Sequence, residues 1–282
     1  MLSYILIITG LFGLIIASIT DIKTREVPDW LNYFLITAGL GLRLIYSVYE
    51  MNFSYILYGL VGFGVFFLAA LLMYYTKQWG GGDSKLLMGL GALFGSYPIN
   101  SLFNPNLNLP FLLILLINII LVGGVYGILW ALYLGFRNWK NTKKELKKID
   151  LNFLKYFSLL LILPMALLII SFSLFIVALL FLLFVLLIAF ILIFIKAVEN
   201  CCMYKNIDVN KLTEGDWVAH DIKHKGRVIC RKNSLGLTKK DIILLKKYKF
   251  KNILIKEGIP FVPSFLIGFL ISLIFGNIIL II

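Results

Sequence analysis

One stretch of the chain, residues 156–195, restricts the fold more than any other. It contains no charged side chain over 40 residues. As a single helix it would extend roughly 60 Å, about twice the hydrocarbon thickness of a bilayer. The whole sequence is 61% hydrophobic with a mean hydropathy of +0.95, whereas soluble domains are about 45–50% apolar. We therefore expect a chain that crosses a membrane several times.

Charges and turn residues divide the chain into predicted spans. Five spans precede the apolar stretch, and they cover about 2–20, 30–48, 55–75, 84–97 and 111–134. A final span covers about 261–282. Two further spans, broken near Ser171-Phe172-Ser173, fit into residues 156–195 and give about eight in total. A re-entrant hairpin is the alternative for that stretch, so six to eight spans are possible.

Basic residues predict the orientation of these spans. The net charge is +13, and the segments 137–155 and 196–260 carry seven and fifteen Lys or Arg residues. The positive-inside rule places both segments in the cytoplasm and the N-terminus outside. Only Arg43 of the 27 basic residues then falls away from the cytoplasmic side, and we expect it to snorkel to the outer headgroups. The basic run at 143–148 either anchors this topology or holds anionic lipid.

The predicted fold class is an all-α polytopic membrane protein with a small α+β cytoplasmic domain. The predicted parts are a membrane core at 1–136, a basic loop at 137–155, an extra hydrophobic hairpin at 156–195, a basic cytoplasmic domain at 196–260 and a C-terminal span at 261–282. In the cytoplasmic domain, Thr238 is expected to cap a helix. Short strands are expected at Trp217-Val218, Val228–Cys230 and Ile253–Ile255.

Two acidic residues in the membrane core stand out by their positions. Asp21 ends the first span, and Asp83 begins the fourth span, 62 residues later. The two spans between them return the chain to the same face, so both carboxyl groups lie at one depth. Two carboxyl groups that share a proton can activate water and polarise a scissile carbonyl. Each residue alone could equally be an ordinary helix-end acid, but the pair predicts an aspartyl protease site without a metal.

The glycines before Asp83 and the remaining polar residues refine this hypothesis. Gly80 and Gly82 lack Cβ atoms, which lets the backbone turn sharply and lets a substrate strand approach. The three cysteines form no CxxC pair, and His220 and His224 lack the intervening Glu of a zinc protease motif. We therefore expect neither a metal site nor a cofactor. The sequence also lacks a nucleic-acid-binding motif, so we expect no nucleic acid partner.

Two motifs resemble those of the type IV prepilin peptidases. The segment Asp21-Ile22-Lys23-Thr24-Arg25-Glu26-Val27-Pro28-Asp29 is similar to their first aspartate motif, and Gly80-Gly81-Gly82-Asp83-Ser84-Lys85-Leu86 to their GxGD motif. The segments 214–217, 236–238 and 256–263 resemble the archaeal branch, which includes the preflagellin peptidases. The resemblance implies Asp21 and Asp83 as catalytic residues, with Gly80, Gly82, Lys85 and Lys23 in supporting roles.

The resemblance also implies a reaction. Such enzymes remove the short basic class III signal peptide from pilin-like and archaellin precursors at the cytoplasmic face of the cell membrane. The expected partners are therefore those precursors and membrane lipids. Bacterial members carry a four-cysteine loop and methylate the new N-terminus, but this chain has only three cysteines, so no methyltransferase activity is expected. An ion-coupled transporter that uses interfacial carboxylates is the alternative function.

Overall fold

The structure is a computed structural model that describes residues 1–96, 109–149, 175–224, 226–232 and 235–280. Its helices are α1 (Leu2–Thr24), α2 (Asp29–Tyr49), α3 (Ser54–Tyr75), α4 (Gly81–Phe94), α5 (Phe111–Arg137), α6 (Trp139–Leu146), α7 (Phe175–Val198), α8 (Lys239–Lys247) and α9 (Val262–Ile274). Its strands are β1 (Tyr204–Asp208), β2 (Trp217–Val218), β3 (Ile222–His224), β4 (Arg227–Cys230) and β5 (Asn252–Lys256). The predicted mostly helical membrane fold with a small sheet region is confirmed.

Five helical segments among the described residues are long and apolar enough to cross a membrane. They are α1, α2, α3, α5 and the stretch Ile176–Met203, in which α7 continues into a π-helical turn. The helices α4 and α9 have only 14 and 13 residues. The predicted break near Ser171-Phe172-Ser173 lies outside the described residues, so the total of eight spans stays a prediction.

The C-terminal helix ends earlier than the predicted span at 261–282. The α9 helix stops at Ile274, Gly276 adopts a φ of 75°, and a 3-10 turn follows at Ile278–Leu280. The buried Asn118 of α5 fixes this ending, because its Nδ2 donates to Gly276 O at 2.8 Å and its Oδ1 accepts from Ile278 N at 3.4 Å. The sequence contains the signal, since a Gly in the left-handed conformation just past the last helical residues commonly terminates a helix.

The chain divides into two compact units. The first unit comprises Met1–Gly127 with Ile207–Ile282, and the second comprises Ile128–Asn206. In the first unit, one hydrophobic core joins α1 to α4 with the N-terminal half of α5 and with α9. In the second unit, α6 packs against α7. Both predicted catalytic residues belong to the first unit.

The small sheets and the helix α8 match most of the expectations. Thr238 caps α8 by accepting from the Asp241 backbone N–H at 3.2 Å, while Asp241 accepts from the Thr238 backbone N–H at 2.9 Å. The strand β5 lies between β1 and β2 and pairs antiparallel with β2. The strands β3 and β4 form a separate antiparallel pair. The predicted helix and the three predicted strands are thus confirmed, whereas β1 and β3 add to the expected set.

Arg43 was expected to snorkel to the headgroups, but the structure buries it inside the protein. Its side chain is 1% exposed, and it donates to the carbonyl oxygens at the end of α4. The Arg43 Nε–Ala92 O distance is 3.1 Å, and the Nη2–Leu93 O distance is 2.6 Å. A helix C-terminus carries a partial negative charge and carbonyls without partners, so a guanidinium is stabilised there. Arg43 therefore caps α4, the helix whose other end carries Asp83.

The helices α3 and α4 approach closely along a seam of glycines. A Cβ atom added at Gly62 would overlap the backbone of Gly91 and Gly95, whereas one added at Gly64 would meet nothing within 4 Å. Close contacts of small residues let two membrane helices pack backbone to backbone. This seam fixes the position of α4 and therefore of Asp83.

The seam predicts different effects for two glycines of α3. Gly62→Ala should lower the free energy of unfolding by about 2 kcal/mol, because backbone atoms of α4 must move to admit the methyl group. Gly64→Ala makes the same chemical change on the open side, so its effect should stay within about 1 kcal/mol, the gain in helix propensity. Unfolding in mixed micelles measures both. Equal stability of the two variants would contradict the tight α3–α4 contact.

Candidate active site

Asp21 lies in the last turn of α1 and is 5% exposed. The helix ends at Thr24, and Arg25 adopts a left-handed conformation with a φ of 62°, from which its N–H donates to Asp21 O at 2.9 Å. The Asp21 side chain accepts a hydrogen bond from the far end of the chain, since the Val262 N–H donates to its Oδ2 at 2.9 Å. One carboxylate oxygen is therefore held by the first turn of α9.

Asp83 lies in the first turn of α4 and is half-buried. Its Oδ2 accepts from the Gly80 N–H at 3.2 Å, which closes the turn at the start of the helix. Asp21 and Asp83 lie close enough for their carboxyl groups to interact electrostatically. The structure therefore brings together the two acids that the sequence singled out.

The two aspartate motifs contact each other through small and buried residues. A Cβ atom at Gly82 would lie 3.3 Å from the Cβ of Val27, so the missing side chain lets the two motifs pack. Gly80 has a φ of −71°, which any residue can adopt, so its own backbone conformation does not require a glycine. The approach of a substrate strand to these glycines stays a prediction.

Asn32 is a site residue that the sequence motifs do not include. It lies on α2 and is completely buried, and its Nδ2 donates to Gly82 O at 3.4 Å. Its Oδ1 and the buried Oγ of Ser84, next to Asp83, have no hydrogen-bond partner within the described parts of the protein. The only sequence signal is an Asn within an apolar span.

The two lysines of the motifs occupy different places. Lys85 Nζ forms an ion pair with Asp29 Oδ1 at 2.6 Å and lies 5.8 Å from the centre of the Tyr33 ring. This pair ties α4 to the start of α2. Lys23 is exposed on the last turn of α1. Both partners of the Lys85–Asp29 pair are substantially exposed, so the pair contributes at most about 1 kcal/mol to stability.

Other titratable residues lie outside the dyad. Asp216 accepts from the Thr213 N–H at 2.8 Å. Burial raises the pKa of Asp216 above its ordinary value, and the charges of Glu26 and Glu257 raise it further. His224 lies on β3 and stacks on the Tyr248 ring at 4.3 Å, while His220 lies in a bend, so the two histidines do not share a helix.

An aromatic cluster, formed by Trp79, Phe261 and Phe265, joins the two backbone segments that donate hydrogen bonds to Asp21 and Asp83. The ring centres of Trp79 and Phe261 are 5.7 Å apart, and those of Trp79 and Phe265 are 5.1 Å apart. Trp79 directly precedes Gly80 in sequence, and Phe261 directly precedes Val262. The cluster therefore packs next to both backbone N–H groups that hold the acids.

A comparison with known protein families matches the part of the chain that carries both acids. Residues 8–128 match the type IV leader peptidase family. This match includes both aspartate motifs and ends within α5.

Three curated proteins share sequence with this chain, and each is named preflagellin peptidase. The protein of Methanococcus voltae is 35% identical over 131 residues, covering 46% of this chain and 56% of the relative. That of Methanococcus maripaludis is 32% identical over 140 residues, covering 49% and 59%. That of Methanocaldococcus jannaschii is 38% identical over 107 residues, covering 37% and 45%. The chain thus spans about half the length of the curated relatives it matches. No solved structure gives a significant match.

Proposed function

We propose that the chain is an aspartic endopeptidase embedded in the cell membrane, since its residues 8–128 match the type IV leader peptidase family. Its substrates are archaellin or pilin-like precursors, from which it removes the short basic leader at the cytoplasmic face. The observation that carries this proposal is the pairing of Asp21 and Asp83, two acids from distant parts of the chain that interact at the end of α1 and the start of α4. The relatives named preflagellin peptidase support the substrate class.

The mechanism follows from what two neighbouring carboxyl groups can do. They hold one proton between them, because two adjacent negative charges are unfavourable. The ionised group takes a proton from a water molecule, which attacks the scissile carbonyl carbon. The protonated group donates a hydrogen bond to the carbonyl oxygen as negative charge develops there. The proton then passes to the leaving amine, so the dyad returns to its starting state.

The hydrogen bonds of the site fit this division of work. Each acid accepts a backbone hydrogen bond on its Oδ2, from Val262 for Asp21 and from Gly80 for Asp83. These bonds fix the carboxyl planes in advance, which is how a site lowers the cost of reaching the reactive geometry. We assign neither acid a permanent role as base, since a coupled pair titrates as one unit.

The proposed orientation places the N-terminus outside and the dyad on the cytoplasmic side. The distribution of Lys and Arg supports it, because 22 of the 27 lie beyond residue 136 in segments that the positive-inside rule assigns to the cytoplasm. A dyad at that face lies where a basic leader would end and the apolar segment of a precursor would enter the membrane.

A cleavage assay tests the proposed function. The full chain in membranes or detergent is incubated with a preflagellin precursor, and the product is identified by its shift on a gel and by N-terminal sequencing. We expect one product that begins just before the apolar segment of the precursor. Absence of this product from well-folded enzyme would contradict the proposal, and ion flux into vesicles without cleavage would favour the transporter alternative.

A further inference from the structure

The first turn of α9, which contacts Asp21, has few backbone N–H groups free to donate. Pro263 has no amide N–H, and Ser264 N donates to Phe261 O at 3.0 Å. The Val262 N–H donates to Asp21 Oδ2 at 2.9 Å in a buried contact, and the Phe261 backbone also contributes a hydrogen bond to Asp21. The contact between Asp21 and α9 therefore depends on how Phe261 is packed.

The Phe261 ring packs against Gly123 of α5, a position where only a glycine leaves enough space. A Cβ atom added at Gly123 of α5 would overlap the tip of the Phe261 ring. On its other side, the Phe261 ring contacts Trp79 at 5.7 Å and Phe265 at 5.9 Å between ring centres. The ring is thus clamped between α5 and the segment that leads into the GxGD motif.

We propose that Phe261, which packs on Gly123 and against Trp79, is a positioning residue that fixes the relative position of the two catalytic carboxyl groups. It acts on Asp21 through the neighbouring Val262 N–H. It acts on Asp83 through Trp79, which directly precedes the Gly80 N–H donor. The proposal rests on the proposed function, since it assigns Phe261 a role only if Asp21 and Asp83 are the catalytic pair.

The physical reason is geometric. A dyad works only when its two carboxyl groups and the substrate carbonyl are held in the reactive arrangement, and a misplacement of about 1 Å can cost about a hundredfold in rate. The three rings form a rigid unit between the two backbone donors, because large aromatic side chains have few rotatable bonds and bury much surface. A shift of the Phe261 ring therefore moves the Val262 N–H away from its place on Asp21 Oδ2. We expect the effect in kcat and not in KM, because the shift acts on the reacting groups and not on contacts with the substrate away from the dyad.

The test adds one methyl group under the Phe261 ring. In the full chain, Gly123→Ala should lower kcat for precursor cleavage about ten- to a hundredfold and leave KM within about twofold. The matched control is Gly124→Ala, one residue further along the same helix, where an added Cβ atom meets nothing within 4 Å. Its kcat and KM should equal those of the parent chain. A Gly123→Ala enzyme with the same kcat as Gly124→Ala would overturn the proposal.

Variants of Phe261 show whether the methyl group acts through that ring. Phe261→Tyr keeps the ring and should retain most of kcat, whereas Phe261→Leu loses the contact with Trp79 and should lower kcat. In the Phe261→Leu background, Gly123→Ala should lower kcat little further, because the ring that the methyl group displaces is absent. Such non-additivity identifies residues that act together. An equal loss in both backgrounds would overturn the proposal. Thermal unfolding in detergent checks that each variant is folded, and the Phe261 pair supplies the test if Gly123→Ala does not fold.

The failure of this inference can be told from the failure of the proposed function. If the Asp21→Asn variant cuts the precursor at the parental rate, the dyad itself is wrong. If Asp21→Asn is inactive while Gly123→Ala and Phe261→Leu keep the parental kcat, the dyad stands and only the positioning role of Phe261 falls.

Discussion

Replacing either Asp21 or Asp83 with Asn is expected to abolish precursor cleavage, with kcat falling by about 10³- to 10⁴-fold. An amide has nearly the same shape as a carboxyl group, but it neither takes a proton from water nor delivers one to the leaving group. Packing is preserved, because an amide oxygen can still accept from the Val262 N–H or from the Gly80 N–H. The loss should therefore appear in kcat and not in thermal stability. Gel analysis of the precursor over long incubations measures it.

The double variant and a matched control sharpen this result. Because the two acids act as one unit, Asp21→Asn combined with Asp83→Asn should be no slower than either single variant. The control is Asp221→Asn, the same change on an exposed residue whose carboxylate accepts from the Lys232 N–H at 2.7 Å. It should retain the parental kcat. Substantial cleavage by both single variants would mean that other groups activate the water.

The elements that can be predicted from the sequence share a local cause. Apolar runs of span length form α1, α2, α3 and α5, and the Thr238 capping pattern starts α8, because these features depend on neighbours within a few residues. The approach of Asp21 and Asp83 is also predictable, since two intervening spans return the chain to one face. The sequence therefore predicts these helices and the two acids of the site.

The residues that position those two acids could not be predicted, because their positions depend on contacts between segments far apart in sequence. Val262 holds Asp21 across 241 residues of sequence, and Phe261 finds its seat at Gly123 of another helix. The motif Pro260–Pro263 indicates only the start of a helix when it is read alone. The close packing of Gly82 on Val27 is likewise invisible to a pattern that records spacing and not distance.

Arg43 shows how an exception to a rule can be informative. It is the one basic residue that the positive-inside rule does not accommodate, which led us to expect it at the headgroups. An intramembrane charge that does not follow the topology is instead often buried and paired with protein groups. The structure gives Arg43 this second role at the C-terminus of α4. The sequence marks the residue but not its partners.

Replacing Arg43 with Leu should destabilise the protein more than Gly62→Ala does, lowering the free energy of unfolding by about 3 kcal/mol or more. The guanidinium also donates from Nη1 to Tyr55 O and Ser96 Oγ, each at 3.2 Å. Leucine fills most of the space but leaves the carbonyl groups of Ala92, Leu93 and Tyr55 without this donor, and an unmet buried acceptor costs about 1–3 kcal/mol.

The choice of replacement and control makes this prediction specific to the guanidinium. Arg43→Lys should recover only part of the stability, because a single ammonium group does not reach carbonyl groups spread over the end of α4 and the start of α3. Lys147→Leu, which removes an exposed basic side chain, is the control and should change stability little. Unfolding by denaturing detergent in mixed micelles ranks the variants. If Arg43→Leu and the Lys147→Leu control unfold at the same concentration of denaturing detergent, Arg43 does not cap α4. If its loss is large, kcat should fall in parallel, since the helix that loses its cap carries Asp83 at its opposite end.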